Sequence, residues 1–211
     1  MKICGVKIEH DALAAIQSGA DALGFNLYPG SKRYVQWEKE ADWIRALPSE
    51  IARVAVLVNP TIDEARELLD IDLFDALQFH GEESKEFFES LPPHKKPLIK
   101  AVRLTSVAIL EQVCRYPVFG LLADGTRDGE FGGAGVCFDW ALLRGANIDK
   151  VLIVAGGLTP ENVAAAIRET RPYAVDVASG VENREGLKDR NKMVEFVLAA
   201  RAVRKCTVRA L

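Results

Sequence analysis

The chain has 211 residues, a length that suits one large domain or two small ones. Its 27 lysines and arginines nearly balance 30 aspartates and glutamates, and the net charge of −3 disfavours nucleic acid as a partner. The hydrophobic share is 49%. However, no stretch approaches the roughly 18 uncharged apolar residues of a membrane span, so no membrane partner is expected.

The four cysteines stand far apart along the chain and form no CxxC pair. This spacing argues against a disulfide framework or a zinc site. The charged N-terminal segment also lacks the apolar run of a signal peptide. We therefore expect a protein of the reducing cytoplasm.

Short apolar runs alternate with amphipathic segments from one end of the chain to the other. The runs are typical of strands that are covered on both faces of a parallel sheet. Strands are predicted at residues 2–4, 22–27, 54–58, 76–79, 98–102, 118–123, 151–154 and 174–177. Helices are predicted at residues 11–17, 37–47, 63–69, 83–91, 106–114 and 139–143, then from residue 159, and at 191–203.

Eight strand–helix units with no leftover element indicate an α/β fold, a (β/α)8 TIM barrel of eight parallel strands. A doubly wound open sheet of about five or six strands is the alternative, and two misassigned runs would restore it. No linker or composition shift points to a second domain. We therefore expect a single barrel domain over residues 1–211.

Reactive groups of a parallel barrel gather at the carboxyl ends of the strands and in the loops that follow them. The candidates there are Cys4 at the end of strand 1, Arg33 after strand 2, His80 at the end of strand 4, Asp124 at the end of strand 6, Gly156 and Gly157 after strand 7, and Ser179 and Gly180 after strand 8. Such convergence on one rim predicts the functional site. No cluster of residues has metal-ligand spacing, so no metal is expected.

Glycines follow each of the last two strands, where these barrels frequently bind phosphate. Glycine lets the backbone approach a ligand closely, and N–H groups at a helix start attract anions. Either pair alone can be a simple turn. Both pairs together favour a small phosphorylated substrate.

Cys4 and Asp124 form a possible base and acid, since a thiolate can take a proton and a protonated carboxyl can give one. Each also has a structural reading, as a packed thiol and as a loop cap. A base at neutral pH needs the thiol pKa lowered from about 8.5, and Lys7 is near enough in sequence to contribute.

Other candidates have less specific roles. Arg33 carries the planar fork that suits a carboxylate or a phosphate, although a solvated basic loop explains it equally well. His80 orients a substrate, caps a loop or fills space. Lys2 and Glu182 are candidates for ion pairs.

Nine segments share a pattern that runs in order through nearly the whole chain, from Lys2-Ile3-Cys4-Gly5 to a stretch that ends at Glu182. They are residues 2–5, 18–25, 31–35, 77–81, 121–124, 132–135, 138–140, 155–158 and 176–182. Together they resemble the phosphoribosylanthranilate isomerase family of tryptophan biosynthesis. One segment alone is a weak signal, but nine at barrel spacing are highly specific.

The resemblance implies an Amadori rearrangement of N-(5-phosphoribosyl)anthranilate to 1-(2-carboxyphenylamino)-1-deoxyribulose 5-phosphate, without a cofactor. It implies Asp124 as the general acid and Cys4 as the general base. Arg33 would hold the anthranilate carboxylate, while His80 and Asp176 would contact the substrate. The phosphate would bind to backbone groups of Gly156, Gly157, Ser179 and Gly180. A monomer or a homodimer is expected, and residues 125–135 are expected to close over the substrate.

Other readings stay open. A pentose-phosphate epimerase would need metal-ligand histidines at strand ends, where only His80 stands. An indole synthase would use lysine and glutamate as acid and base, and Lys100 in strand 5 keeps that reading open. A histidine-pathway isomerase would have aspartates at both acid–base positions, which Cys4 disfavours. A non-catalytic phosphosugar-binding protein would have no need of Cys4 and Asp124.

Overall fold

A computed structural model describes residues 1–125, 138–146 and 148–208, with side chains as far as residue 203. Eight parallel strands of the described chain close into a barrel in sequence order. They are β1 Lys2–Cys4, β2 Ala22–Asn26, β3 Ala52–Leu57, β4 Ala76–Phe79, β5 Leu98–Arg103, β6 Gly120–Asp124, β7 Val151–Val154 and β8 Ala174–Val177. Pairing of β8 with β1 completes the ring. The predicted barrel is confirmed, and the open-sheet alternative is wrong.

Helices follow the strands around the outside of the barrel. They are α1 Glu9–Ser18, α2 Trp37–Arg45, α3 Ile62–Asp70, α4 Lys85–Glu89, α5 Val107–Val113, the 3₁₀ helix Trp140–Leu143, α6 Val163–Thr170 and α7 Arg190–Val208. The helix predicted to open at residue 159 begins later. The N–H of Thr159 donates to the Asn162 side chain in a turn, and α6 follows that turn.

Two features of the chain differ from, or lie outside, the predictions. A 3₁₀ helix, Ser179–Val181, and a small antiparallel pair, β9 Glu182–Arg184 with β10 Leu187–Lys188, follow β8 and were not predicted. The predicted closing loop, 125–135, lies outside the described residues except for Gly125. Within the described ranges, no helix is both long enough and apolar enough to cross a membrane.

Side chains alternate along each barrel strand between the interior of the barrel and the layer of helices. The outward positions join the main core, as Leu23, Phe25, Leu77 and Phe79 do. On the β5–β7 side, the interior holds an apolar cluster of Ile99, Ala101, Leu122, Ile153 and Ala155. Buried polar side chains come instead from β1, β4 and β8, namely Lys2, Gln78 and Asp176. The interior is therefore apolar on one side and polar on the other.

A buried ion pair between Lys100 and Glu83 fixes the loop that follows β4. Lys100 Nζ donates to Glu83 Oε2 at 2.9 Å and to the carbonyl of Gly81 at 2.7 Å. Glu83 Oε1 accepts the backbone N–H of Asn59 at 2.9 Å and that of Gly81 at 3.1 Å. Both oxygens of this carboxylate therefore act as acceptors.

Glu83→Gln should lower the free energy of unfolding by about 3 kcal/mol, because it leaves the buried Lys100 charge without its counter-charge. The side-chain amide group of the variant would also point its N–H at one of the donors that the Glu83 carboxylate accepts in the wild type. Denaturant unfolding measures the change. The matched control is Glu89→Gln, which removes an exposed ion pair with Lys85 and should change stability little. Equal losses of unfolding free energy in the two variants would show that the buried ion pair stabilises the fold no more than the exposed one does.

Candidate active site

One cavity opens at the carboxyl ends of the barrel strands, on the predicted rim. Its volume is about 600 Å³ when the open mouth is included. Eight of the nine predicted site residues line it, namely Cys4, Arg33, His80, Asp124, Gly156, Gly157, Asp176 and Ser179. The ninth, Gly180, packs directly behind this lining. A Cβ at that position would lie 1.9 Å from the carbonyl oxygen of Leu158.

Glycines bring the ends of β6, β7 and β8 together. Gly156 and Gly157 have φ values of +77° and +60°, in the left-handed region that favours glycine. A Cβ on Gly156 would lie 2.3 Å from the backbone nitrogen of Gly125 and 2.8 Å from Asp124 Oδ1. The loop after β7 therefore sits directly against the predicted acid.

A chain of hydrogen bonds crosses the polar side of the barrel interior. Asp124 Oδ2 lies 3.0 Å from His80 Nε2, and His80 Nδ1 lies 3.1 Å from Gln78 Nε2. Lys2 Nζ donates to Gln78 Oε1 and forms an ion pair of 3.2 Å with Asp176 Oδ2. The side chain of His80 is 14% exposed, and the other four are more deeply buried. The predicted acid is thus connected to a buried ammonium group.

Cys4 lies at the end of β1 and lines the same cavity. Burial of the thiol raises the pKa of Cys4, and the negative charge of Asp176 raises it further. The positive charges that oppose this rise belong to Lys2, Lys188 and Arg33. The expectation that the site lowers the Cys4 pKa is therefore wrong for this structure. Lys7, the expected helper, donates instead to the carbonyl of Lys32.

Arg33 is held by Glu182 on the cavity wall. Its Nε and Nη2 donate to the two carboxylate oxygens, each at 2.8 Å. Lys188 approaches the same carboxylate at 2.8 Å, so one buried anion lies between two cations. The hydrogen bonds to Glu182 raise the pKa of Arg33. This pairing does not use the Nη1 hydrogens of the guanidinium.

Comparison with known proteins identifies the family. Residues 1–199 match the family model of N-(5'phosphoribosyl)anthranilate (PRA) isomerase. The N-(5'-phosphoribosyl)anthranilate isomerase of Magnetococcus marinus is 43% identical over 201 residues, which cover 95% of this chain and 94% of that relative. The chain belongs to the N-(5'-phosphoribosyl)anthranilate isomerase family.

Solved structures of phosphoribosyl anthranilate isomerase have the same fold as this family member. The one from Thermotoga maritima has a TM-score of 0.86 at 37% identity, and the match covers 95% of this chain and 98% of that one. Another is in complex with reduced 1-(o-carboxyphenylamino)-1-deoxyribulose 5-phosphate, with a TM-score of 0.83 at 36% identity. The second match covers 95% of this chain and 97% of that one.

The isomerase fold accounts for the residues that kept other readings open. Lys100 pairs with Glu83 and does not line the cavity, so the residue that kept the indole synthase alternative open lies outside the site. Lys2 and Glu182 form the predicted ion pairs. In the ranges that the structure describes, no three His, Cys, Asp or Glu side chains group as metal ligands would.

Two polar residues of the site were missed by sequence reasoning. Gln78 had a usable signal, because it stands on β4 two positions before His80, which directly follows that strand, and the alternation of side chains directs both into the barrel. Lys188 had none, because its partner Glu182 meets it through the unpredicted β9–β10 pair.

We expect the alkylation rate of Cys4 to rise with pH through a midpoint above that of an ordinary cysteine thiol, since the thiolate is the reactive form and the pKa of Cys4 is raised. Asp176→Asn should lower this midpoint, because it removes a nearby anion. Lys188→Met should raise it, because it removes an opposing cation. Pulse alkylation with peptide-resolved mass spectrometry separates Cys4 from the other three cysteines. Shifts in the same direction for both variants would contradict the electrostatic account.

Proposed function

We propose that the chain converts N-(5-phosphoribosyl)anthranilate into 1-(2-carboxyphenylamino)-1-deoxyribulose 5-phosphate, a cofactor-free Amadori rearrangement in tryptophan biosynthesis. One observation carries the proposal. A chain that matches this family over residues 1–199 has Cys4 and Asp124 at one cavity, and the two glycine loops, after β7 and β8, come between them in the order of the barrel strands. A base and an acid on the two sides of a bound sugar are what an aldose–ketose shift requires.

Asp124 is the general acid in this proposal. Its Oδ2 is engaged with His80, so Oδ1, on the side of Gly156, is the oxygen that gives the proton. Transfer of this proton to the furanose ring oxygen breaks the bond between that oxygen and C1. The lone pair of the anthranilate nitrogen then forms a double bond to C1, and the open chain is a protonated imine.

Cys4 is the general base. Its thiolate takes the proton from C2, and the electrons of that C–H bond form a double bond between C1 and C2. The imine electrons return to nitrogen, and the resulting enolamine tautomerises to the aminoketose. The charges of Lys2, Lys188 and Arg33, which oppose the raised pKa of the thiol, stabilise the thiolate when it forms.

The phosphate of the substrate binds at the loops after β7 and β8. The proposed contacts are backbone groups of Gly156, Gly157, Ser179 and Gly180. The positive φ values after β7 and the close packing of Gly180 on Leu158 support this placement, because they leave no side chain between the backbone and a ligand. The two loops lie in the frequent phosphate position of these barrels.

Two side chains orient the rest of the substrate. Arg33 binds the anthranilate carboxylate through the Nη1 hydrogens that Glu182 does not use. Asp176 Oδ1 is buried and has no hydrogen-bond partner among the described residues. An unsatisfied buried acceptor is costly, so a substrate hydroxyl that donates to it gains binding energy. His80 lines the cavity as well, and its contact with Asp124 supports a role in orienting the acid.

Cys4→Ser and Asp124→Asn should each lower kcat by about two orders of magnitude or more, because each removes a proton-transfer group. The assay generates N-(5-phosphoribosyl)anthranilate in place and follows the loss of its fluorescence. Cys114→Ser and Asp63→Asn make the same changes outside the cavity and should retain activity. A wild type that binds the product but does not turn over substrate would favour the non-catalytic phosphosugar-binding protein.

A further inference from the structure

We propose that Lys2 is a positioning residue that fixes the ring tautomer of His80, and through it the oxygen on which Asp124 carries its proton. Lys2 does not line the cavity, so it acts on Asp124 through the side chains of Gln78 and His80, which connect the two. The catalytic consequence rests on the proposed function, whereas the tautomer itself does not.

The order of donors follows from the chemistry of the ammonium group. Lys2 only donates hydrogen bonds, so the atom of Gln78 that it contacts is the carbonyl oxygen Oε1. The other end of that amide is Nε2, which also only donates, and it lies 3.1 Å from His80 Nδ1. His80 Nδ1 must therefore accept, and the proton of the neutral ring sits on Nε2.

The tautomer decides how Asp124 is used. His80 Nε2–H donates to Asp124 Oδ2 across 3.0 Å, so the acid proton belongs on Oδ1. That oxygen lies beside Gly156, which lines the cavity. After the proton has left, the same N–H supports the carboxylate with a charge-assisted hydrogen bond. With the opposite tautomer, a lone pair of the ring would face Oδ2 and draw the acid proton away from the substrate.

The surroundings of Lys2 keep this order fixed. Its side chain is 6% exposed and is paired with Asp176 Oδ2 at 3.2 Å. Burial is the largest single effect and lowers the pKa of Lys2, but the charges of Asp176 and Cys4 and the hydrogen bonds to them together outweigh it, so the pKa of Lys2 is raised. Gln78 is fully buried, so no solvent water competes for its amide. Because Lys2 stays charged and the Gln78 amide is shielded from water, the hydrogen-bond network has a single arrangement of donors and acceptors.

Nitrogen-15 NMR of the His80 ring tests the inference without substrate. A His10→Gln, His94→Gln background leaves His80 as the only histidine. We expect a protonated Nε2 and a bare Nδ1. Gln78→Glu should place a proton on Nδ1, because a carboxylate accepts at both oxygens. Its kcat should fall at least about tenfold with KM nearly unchanged, since the phosphate loops and Arg33 are untouched.

Gln78→Met provides a neutral comparison of similar length. It removes the amide but keeps the pair of Lys2 with Asp176, so both tautomers of His80 should appear and kcat should again fall. This variant, together with the wild-type ring, decides the question if Gln78→Glu does not fold.

A proton on Nδ1 of the wild-type His80 ring would overturn the proposal, whatever the activity. A switched tautomer in Gln78→Glu with an unchanged kcat would overturn the catalytic part. A wild type with the expected tautomer that fails to turn over N-(5-phosphoribosyl)anthranilate contradicts the proposed function alone, because the NMR measurement reads the network without substrate.

Discussion

The pairing of β8 with β1 closes the barrel, and the site depends on that closure. It sets Lys2 beside Asp176 in register, and it brings the N-terminal Cys4 to the same cavity as Ser179. Residues from the two ends of the chain therefore form one wall, which no local segment could build. Closure also leaves the barrel without an exposed strand edge.

Buried charge in the mouth of the barrel is balanced by direct pairing. Lys2 faces Asp176, and Glu182 is shared between Arg33 and Lys188. Removing such charges from water costs several kcal/mol per ion, and apolar side chains of similar volume often stabilise a protein as well or better. We interpret the polar side of the interior as the part of the core that supports catalysis at the cost of some stability. The β5–β7 side supplies ordinary apolar packing.

Strands could be predicted closely because a parallel barrel strand is a short apolar run, so β1, β4, β7 and β8 have the predicted bounds. Helix ends were less predictable, because tertiary contacts decide them. The fourth helix was predicted from residue 83 but begins at Lys85, after the N-cap Ser84. The Glu83 side chain is instead committed to Lys100, a partner that lies on the next strand. Helical periodicity carries no information about such a contact.

The residues that form the site could be predicted from the sequence, but the directions of their pKa shifts could not. Barrel topology turns strand ends into one rim, so a list of polar residues at strand ends is already a list of neighbours. The direction of a pKa shift depends instead on depth and on every nearby charge. Cys4 is the clear case, because burial and Asp176 raise its pKa against three cations. The cation judged from sequence proximity, Lys7, contacts a loop carbonyl instead. Distance along the chain is therefore a poor guide to electrostatics in a fold whose neighbours are set by closure.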